Sequence, residues 1–219
     1  MKDSRSTPPR DARVSVLVAH PDDETLWCGG LLLRHPGWRV FVGTLCRGGD
    51  PDRAPKFFRV LERLGAEGAM ADLDDGPGQL PLDESTVAET LLSLLPGETW
   101  DLVLTHGPEG EYTRHLRHEE VSRAVSRLWR DGILKSKGLW QFAYEDDGGK
   151  RLPAARTDAE LQVELPEEIW ETKHDLVTDV YGFSPESWEA RVTPRREAFI
   201  AAAKAAGTTP PTNKGERSE

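Results

Sequence analysis

Cysteine is nearly missing from this chain: 219 residues hold two, Cys28 and Cys46. Two thiols cannot make the disulfide framework of a small secreted domain. Both lie in apolar surroundings, which reads as core filling rather than metal ligation. Basic charge is short as well, 28 Lys and Arg against 38 Asp and Glu, a net charge of -10. That argues against a nucleic-acid partner, which would call for a basic stripe. It leaves small substrates open, because a local site can differ in sign from the whole surface. No apolar run approaches the roughly 20 residues of a membrane span. The opening MKDSRSTPPRDAR lacks the apolar middle of a signal peptide, so the expectation is a cytoplasmic chain. There is no internal repeat and no long linker to divide it, and nothing in the sequence sets an oligomeric state.

What is present is an ordinary globular composition, 37% hydrophobic and 30% charged, long enough for one domain with a sizeable core. Residues 1–12 and 206–219 are polar and read as disordered tails around a single domain over 13–205. Inside it, apolar β-rich runs alternate with helical patterns. Strands are expected at 13–19, 38–46, 68–73, 100–106, 138–145 and 161–165. Helices are expected at 25–35, 55–66, 83–97, 118–131 and 166–181, with a last one over 193–207 between Thr193 as N-cap and Gly207 as C-cap. The alternation predicts an α/β fold, a mostly parallel sheet with helices on both faces. Ligands in such sheets bind beyond the carboxyl ends of the strands. Three polar clusters follow strand ends here: His20–Glu24, Arg47–Asp52 and His106–His118.

The first cluster poses a physical question. VLVAHPDDETLWCGG, Val16 to Gly30, ends a buried run in a histidine, a proline and three consecutive acids. Such acids beside a core cost desolvation unless something positive balances them. One answer is a helix cap, with Asp22 as N-cap and Asp23 and Glu24 at the positive end of the dipole. The other is a metal. His20 and Asp23 are three apart on a turn, as are His115 and His118 at a helix start, so each pair can face one way. Two histidines and a carboxylate with an open position make the usual form of catalytic zinc. His35 and His174 read as structural or solvated.

AHPDDE (19–24), after a first buried strand, resembles the signature of the PIG-L/LmbE-type N-acetylglucosaminyl deacetylases. HLRH (115–118), which follows THGPEGEY (105–112), resembles that family's second histidine motif. The resemblance covers residues 13–130 well and the rest loosely. It implies a Rossmann-like sheet and a Zn2+ ion held by His20, Asp23 and His118, although such donors accept Fe2+ or Co2+ too. It implies Asp22 as general base, His115 as oxyanion stabiliser or helper of the leaving amine, and Arg47 as a substrate contact. The implied reaction removes an N-acetyl group from an N-acetylglucosamine-type sugar or conjugate, releasing acetate and an amine. The alternatives are hydrolysis of another amide or ester by the same machinery, and a non-enzymatic module that binds a sugar or nucleotide.

One departure stands out. The family's second motif commonly reads His-Pro-Asp-His, and here the middle pair is Leu116-Arg117, which would change charge at the rim of the site. Glu111, Tyr112 and Arg114 could contact a polar ligand, Tyr112 foremost, or form an ordinary solvated loop. Trp140, Phe142, Tyr144, Trp170, Tyr181, Phe183 and Trp188 could offer stacking faces to a sugar, though such residues more often fill a core.

Overall fold

Runs such as RVSVLV and WDLVLT are apolar on both sides of the chain, and both form strands buried on two faces. The computed structural model describes residues 8–203. In chain order it contains β1 (Arg13–Val18), α1 (Asp23–Leu33), β2 (Arg39–Cys46), α2 (Arg53–Leu64), β3 (Ala66–Leu73), α3 (Glu84–Leu94), β4 (Trp100–Thr105) and α4 (Leu116–Arg130). There follow β5 (Ser136–Phe142), β6 (Tyr144–Glu145), β7 (Ala154–Ala155), β8 (Leu161–Glu164), α5 (Glu167–Asp175), a π-helical turn (Leu176–Val180), α6 (Trp188–Val192) and β9 (Arg196–Ala201). The main sheet runs β3-β2-β1-β4-β5-β9-β8. Its first five strands are parallel, and β9 and β8 close it antiparallel.

Alternation along β1 assigns its side chains to the two faces. Val14, Val16 and Val18 pack with Leu31, Phe57 and Val60 of α1 and α2. Leu17 packs with Val87, Leu91, Val121 and Val125 of α3 and α4. Each fully buried Leu, Val or Phe contributes about 1.5–3 kcal/mol, so both helical layers are anchored on the same strand. Cys28 and Cys46 are free and buried in these cores. His35 stacks on Trp38 at 4.1 Å and is structural. Among the described residues, no helix is long and apolar enough to cross a membrane.

The expected helix over 193–207 is absent as far as residue 203: Arg196–Ala201 is a strand, and Thr193 ends α6 instead of opening a helix. Alanine favours helix locally, but β5 and β8 both lie free to pair, and β9 bonds to both. Glu197 on β9 also reaches into α1. Its carboxylate accepts the Gly30 and Leu31 N–H groups at 2.7 Å each and the ammonium of buried Lys173 at 2.7 Å. The expected strand over 138–145 is two strands, and the helix over 166–181 passes into the π-helical turn. At the amino end, Ala12 is buried and the Pro9 carbonyl accepts Trp38 Nε1, so residues 9–12 pack where a tail was expected. Residues 1–7 and 204–219, Gly207 and the expected tail over 206–219 included, lie outside the described residues.

Candidate active site

Strand order reverses between β1, which continues to β2, and β4, which continues to β5. The loops after these two strands therefore diverge and leave a crevice between them. The β1 loop carries His20, Asp22 and Asp23. The β4 loop and the start of α4 carry His106, Glu111, Tyr112, His115 and His118.

Asp22 occupies the N-cap position of α1, with φ of 118°, and its side chain caps nothing. Its carbonyl starts the helix by accepting the Thr25 and Leu26 N–H groups. A non-glycine residue in such a conformation costs about 1–3 kcal/mol. Glu24 holds it there by accepting the Asp22 N–H at 3.0 Å. Glu24 is itself held by the Tyr181 hydroxyl at 2.7 Å and the Thr25 hydroxyl at 2.6 Å. The strained turn thus frees the Asp22 carboxylate from capping and leaves it on the cavity, 3.3 Å from Arg53.

Three acceptor atoms meet at one point. His20 Nδ1 lies 3.2 Å from Asp23 Oδ2 and 3.2 Å from His118 Nε2, and His118 Nε2 lies 3.4 Å from Asp23 Oδ2. A tetrahedral ion with bonds of about 2.0–2.1 Å has edges of about 3.3–3.4 Å, so the spacing fits a small divalent cation. The far nitrogens account for the ring protons. His20 Nε2 donates to Asp75 at 3.1 Å, and His118 Nδ1 donates to Glu111 at 2.7 Å. The nitrogens left to face each other are lone pairs, beside a carboxylate. Asp23 is oriented by Trp27 Nε1 at 3.0 Å on one oxygen and by the His20 N–H at 2.8 Å on the other. Burial raises the Asp23 carboxyl, but His118 and His106 beside it hold it well below the ordinary range. Burial opposes charge on His20 and His118, yet Asp23 and the hydrogen bonds raise both above the usual imidazole value. The centre therefore attracts positive charge.

His106 is also close to Asp23, 3.4 Å from Oδ2, and Asp23, His106 and His118 together have ligand spacing. Both of its nitrogens are nevertheless occupied: Nε2 accepts the Ala19 N–H at 2.9 Å and Nδ1 donates to Glu111 at 2.8 Å. A backbone N–H can only donate, so the Nε2 lone pair is spent on Ala19 while Nδ1 gives its proton to Glu111, and His106 has no lone pair left for an ion. Glu111 accepts from His106 and His118 through one oxygen and from the Gly107 N–H through the other. Burial pushes its carboxyl up, but the two imidazoles bring it down to about 2.

Asp22, His115, Arg47, Arg53, Asp75, Tyr112 and Trp188 line a cavity of about 170 Å³ together with His20 and Asp23. Burial, and then the charge of Asp23, raises the Asp22 carboxyl well above its usual range. The His115 ring lies 4.4 Å from that of His118, and its buried Nδ1 has no protein partner. Burial, with His118 and His20 nearby, pushes it down to about 3, so it is a neutral imidazole. Arg47, at φ 68°, grips Asp75 through Nε at 3.0 Å and Nη2 at 2.8 Å. Trp188 packs on Tyr112 with ring centres 4.7 Å apart.

All seven residues expected at the site thus lie around one cavity or at its base. Glu111 overturns the solvated-loop reading, since it is fully buried, whereas Arg114 is exposed and pairs with Glu119. Arg117 is not at the rim: its side chain is fully buried and ion-paired with Glu120 at 2.5 Å. Of the later aromatics, Trp140, Phe142, Tyr144 and Tyr181 fill the core, and Trp188 reaches the cavity. Asp75, Arg53 and Trp188 carried no motif. Glu111 lies in THGPEGEY, and its placement five residues after His106 and seven before His118 is the signal that marks it.

Known proteins resemble this chain in sequence or in fold. An uncharacterized protein of Acanthamoeba polyphaga mimivirus is 25% identical over 146 residues, covering 60% of this chain and 62% of that protein, so the match spans less than two thirds of its length. A 1D-myo-inositol 2-acetamido-2-deoxy-alpha-D-glucopyranoside deacetylase of Corynebacterium glutamicum is 29% identical over 212 residues, covering 74% of this chain and 71% of that one. The solved N,N'-diacetylchitobiose deacetylase of Pyrococcus horikoshii has the same fold, with a TM-score of 0.67 and 16% identity over 88% of this chain and 85% of that chain. The family described as PIG-L, GlcNAc-PI de-N-acetylase, matches residues 15–129, a span that includes His20, Asp22, Asp23, His115 and His118. With more than half of its length matched, this chain belongs to the PIG-L family.

Proposed function

We propose that this protein is a zinc-dependent N-deacetylase that removes the acetyl group from an N-acetylglucosamine-type sugar or conjugate. The observation that carries the reading is the convergence of His20 Nδ1, Asp23 Oδ2 and His118 Nε2, with every competing proton tied elsewhere. Two imidazoles and one carboxylate suit zinc, and the same donors accept iron or cobalt. His20, Asp23 and His118 would hold a divalent ion there, and its chemistry would be to polarise an amide carbonyl and lower the pKa of water toward neutrality.

The protein's own groups supply the rest. Asp22, buried and with a raised proton affinity, takes a proton from the attacking water and delivers it to the departing nitrogen. His115, neutral, donates a hydrogen bond to the carbonyl oxygen as charge develops on it. The water oxygen bonds to the acetyl carbon, the C–N bond breaks, and acetate and a free amine leave. Arg53 keeps Asp22 oriented toward the cavity through its 3.3 Å contact. Tyr112 and Trp188 offer aromatic walls to a sugar ring, and Arg47, though engaged by Asp75, stands at the cavity for a polar substituent. The cavity is smaller than the roughly 300–1,000 Å³ of sites for drug-sized ligands. A volume of that size suits a terminal acetamido group and part of its sugar better than a whole conjugate. The Corynebacterium relative's inositol conjugate is the first substrate to offer.

The test is incubation of zinc-loaded protein with N-acetylglucosamine, its inositol conjugate, chitobiose and simple acetyl esters, with mass detection of acetyl loss. Free amine from the sugars, lost in the Asp22→Asn variant, is expected. Turnover of esters alone, or of nothing while zinc is bound, would sink the reading.

A further inference from the structure

The segment from Asp74 to Asp83, between β3 and α3, has the sequence DDGPGQLPLD and no helix or strand. Its own hydrogen bonds are local, from the Gly76 N–H to Asp74 Oδ1 at 3.0 Å and from the Gln79 N–H to the Gly76 carbonyl at 3.0 Å, and Leu80 within it is 76% exposed. Yet it carries Asp75, whose carboxylate sets the far nitrogen of His20. One oxygen takes His20 Nε2 at 3.1 Å and Gln79 Nε2 at 3.4 Å, and the other takes Arg47.

Arg47 grips the Asp75 side chain, but the ties on the segment's backbone come from α4. Arg117 donates through Nε to the Asp74 carbonyl at 2.7 Å, through Nη2 to the Leu80 carbonyl at 3.0 Å, and through Nη1 to Glu120 at 2.5 Å. The other oxygen of Glu120 accepts the Leu82 N–H at 2.8 Å. Three backbone atoms at both ends of the segment are thus clamped by one buried ion pair on one helix turn. A planar guanidinium with five fixed donors can bridge two carbonyls and a carboxylate at once, which a lysine cannot. The same helix turn carries His118, so the clamp ties Asp75 directly to the element that bears a metal-site imidazole.

We infer that Arg117 is a positioning residue for the metal site: with Glu120 it holds the 74–82 segment so that Asp75 orients His20. This rests on the proposed metal site. It gives the unusual residue of the HLRH motif a role that the motif's spacing does not show. Carboxylates that orient a ligand histidine typically matter 10- to 100-fold in metal affinity, and Arg117 acts through one.

The experiment uses the full chain and compares wild type, R117M/E120Q, Arg117→Lys, Asp75→Asn and the triple variant R117M/E120Q/D75N. The double variant removes both buried charges together, and the lysine variant preserves the pair with Glu120 should the double variant fold poorly. Two quantities are read: zinc affinity by chelator competition, and amide hydrogen exchange of residues 74–82 in metal-free protein. Faster exchange across the segment is expected in both Arg117 variants, by tenfold or more in the double variant. Zinc affinity should fall about 10- to 100-fold in the double variant and in Asp75→Asn. The triple variant should be no worse than Asp75→Asn alone, since both changes remove one orienting contact. Unchanged zinc affinity in the Arg117 variants despite faster exchange overturns the inference and leaves Arg117 as a loop clamp. Fully multiplicative losses in the triple variant overturn it too. Wild-type protein that binds no zinc removes the proposed metal site and this inference with it, whereas zinc binding with unaffected Arg117 variants removes the inference alone.

Discussion

Replacing Glu111 with Gln changes one atom pair in a fully buried side chain and nothing in its volume. The carboxylate now accepts three N–H groups: His106 Nδ1 at 2.8 Å, His118 Nδ1 at 2.7 Å and Gly107 N at 2.9 Å. An amide cannot accept all three. If its oxygen faces the imidazoles, its NH2 group meets the Gly107 N–H; if it turns, the NH2 meets two ring protons. His106 cannot relieve the clash by moving its proton, because its other nitrogen already accepts the Ala19 N–H. His118 can, but only by protonating the nitrogen that faces Asp23. In the cheaper orientation the Gly107 N–H and the new NH2 group face each other without acceptors, at a cost of about 1–3 kcal/mol for each unpaired buried donor, to be read as a loss of unfolding free energy in urea without metal. Zinc affinity should fall about 10- to 100-fold, because the carboxylate no longer holds the His118 tautomer. Chelator competition measures this, and circular dichroism in urea measures the first effect. A Glu111→Gln protein that binds zinc within threefold of wild type while losing stability would show that Glu111 braces the fold and does not tune the site.

Other outcomes follow from the same geometry. Asp22→Asn should lower kcat/KM on the order of 100-fold or more, the scale of a general base, while zinc content stays at wild type, because Asp22 lies outside the donor triangle; loss of zinc would refute that separation. Asparagine tolerates a positive φ about as well as aspartate, so the fold should be undisturbed. His20→Ala, Asp23→Ala and His118→Ala should each lose zinc and activity together, and full occupancy in any of them would remove that residue from the ligand set. Lys173→Met should destabilise by about 3 kcal/mol, the low end for breaking a buried pair, because Glu197 retains two backbone donors; a loss under about 1 kcal/mol in urea would contradict the burial argument. Cys28 and Cys46 should stay unreactive toward a thiol reagent at pH 8 until denaturant is added, since burial pushes both thiols up, Cys46 to about 12. Rapid labelling of folded protein would count against this.

The parallel half of the sheet could be read in advance because β1, β2 and β4 are apolar on both faces, a pattern that depends only on nearby residues. β9 could not. Its Ala-rich sequence favours helix, and what overrides that preference is two sheet edges and the Glu197 contact with α1, made by residues more than 160 positions apart. The same distinction holds at the site. The histidines and acids of AHPDDE and HLRH carry their chemistry in short spacings. Glu111 looked like a loop residue because its meaning depends on the β4 loop folding back onto α4.

The sequence by itself determined that a buried acid cluster follows the first strand, that it needs a positive partner, and that His115 and His118 stand ready downstream. Those are properties of residue type and local spacing. Only the tertiary structure decided which atoms of those residues are free to bind. A histidine nitrogen is a donor or an acceptor according to what its other nitrogen touches, and those partners, Asp75 for His20, Glu111 for His118 and the Ala19 amide for His106, are brought up by different strands. The cap reading gave way for the same reason. Asp22 was free to face the cavity once Glu24, Tyr181 and Thr25 took over the restraint of its backbone, and Tyr181 lies 157 residues from Glu24.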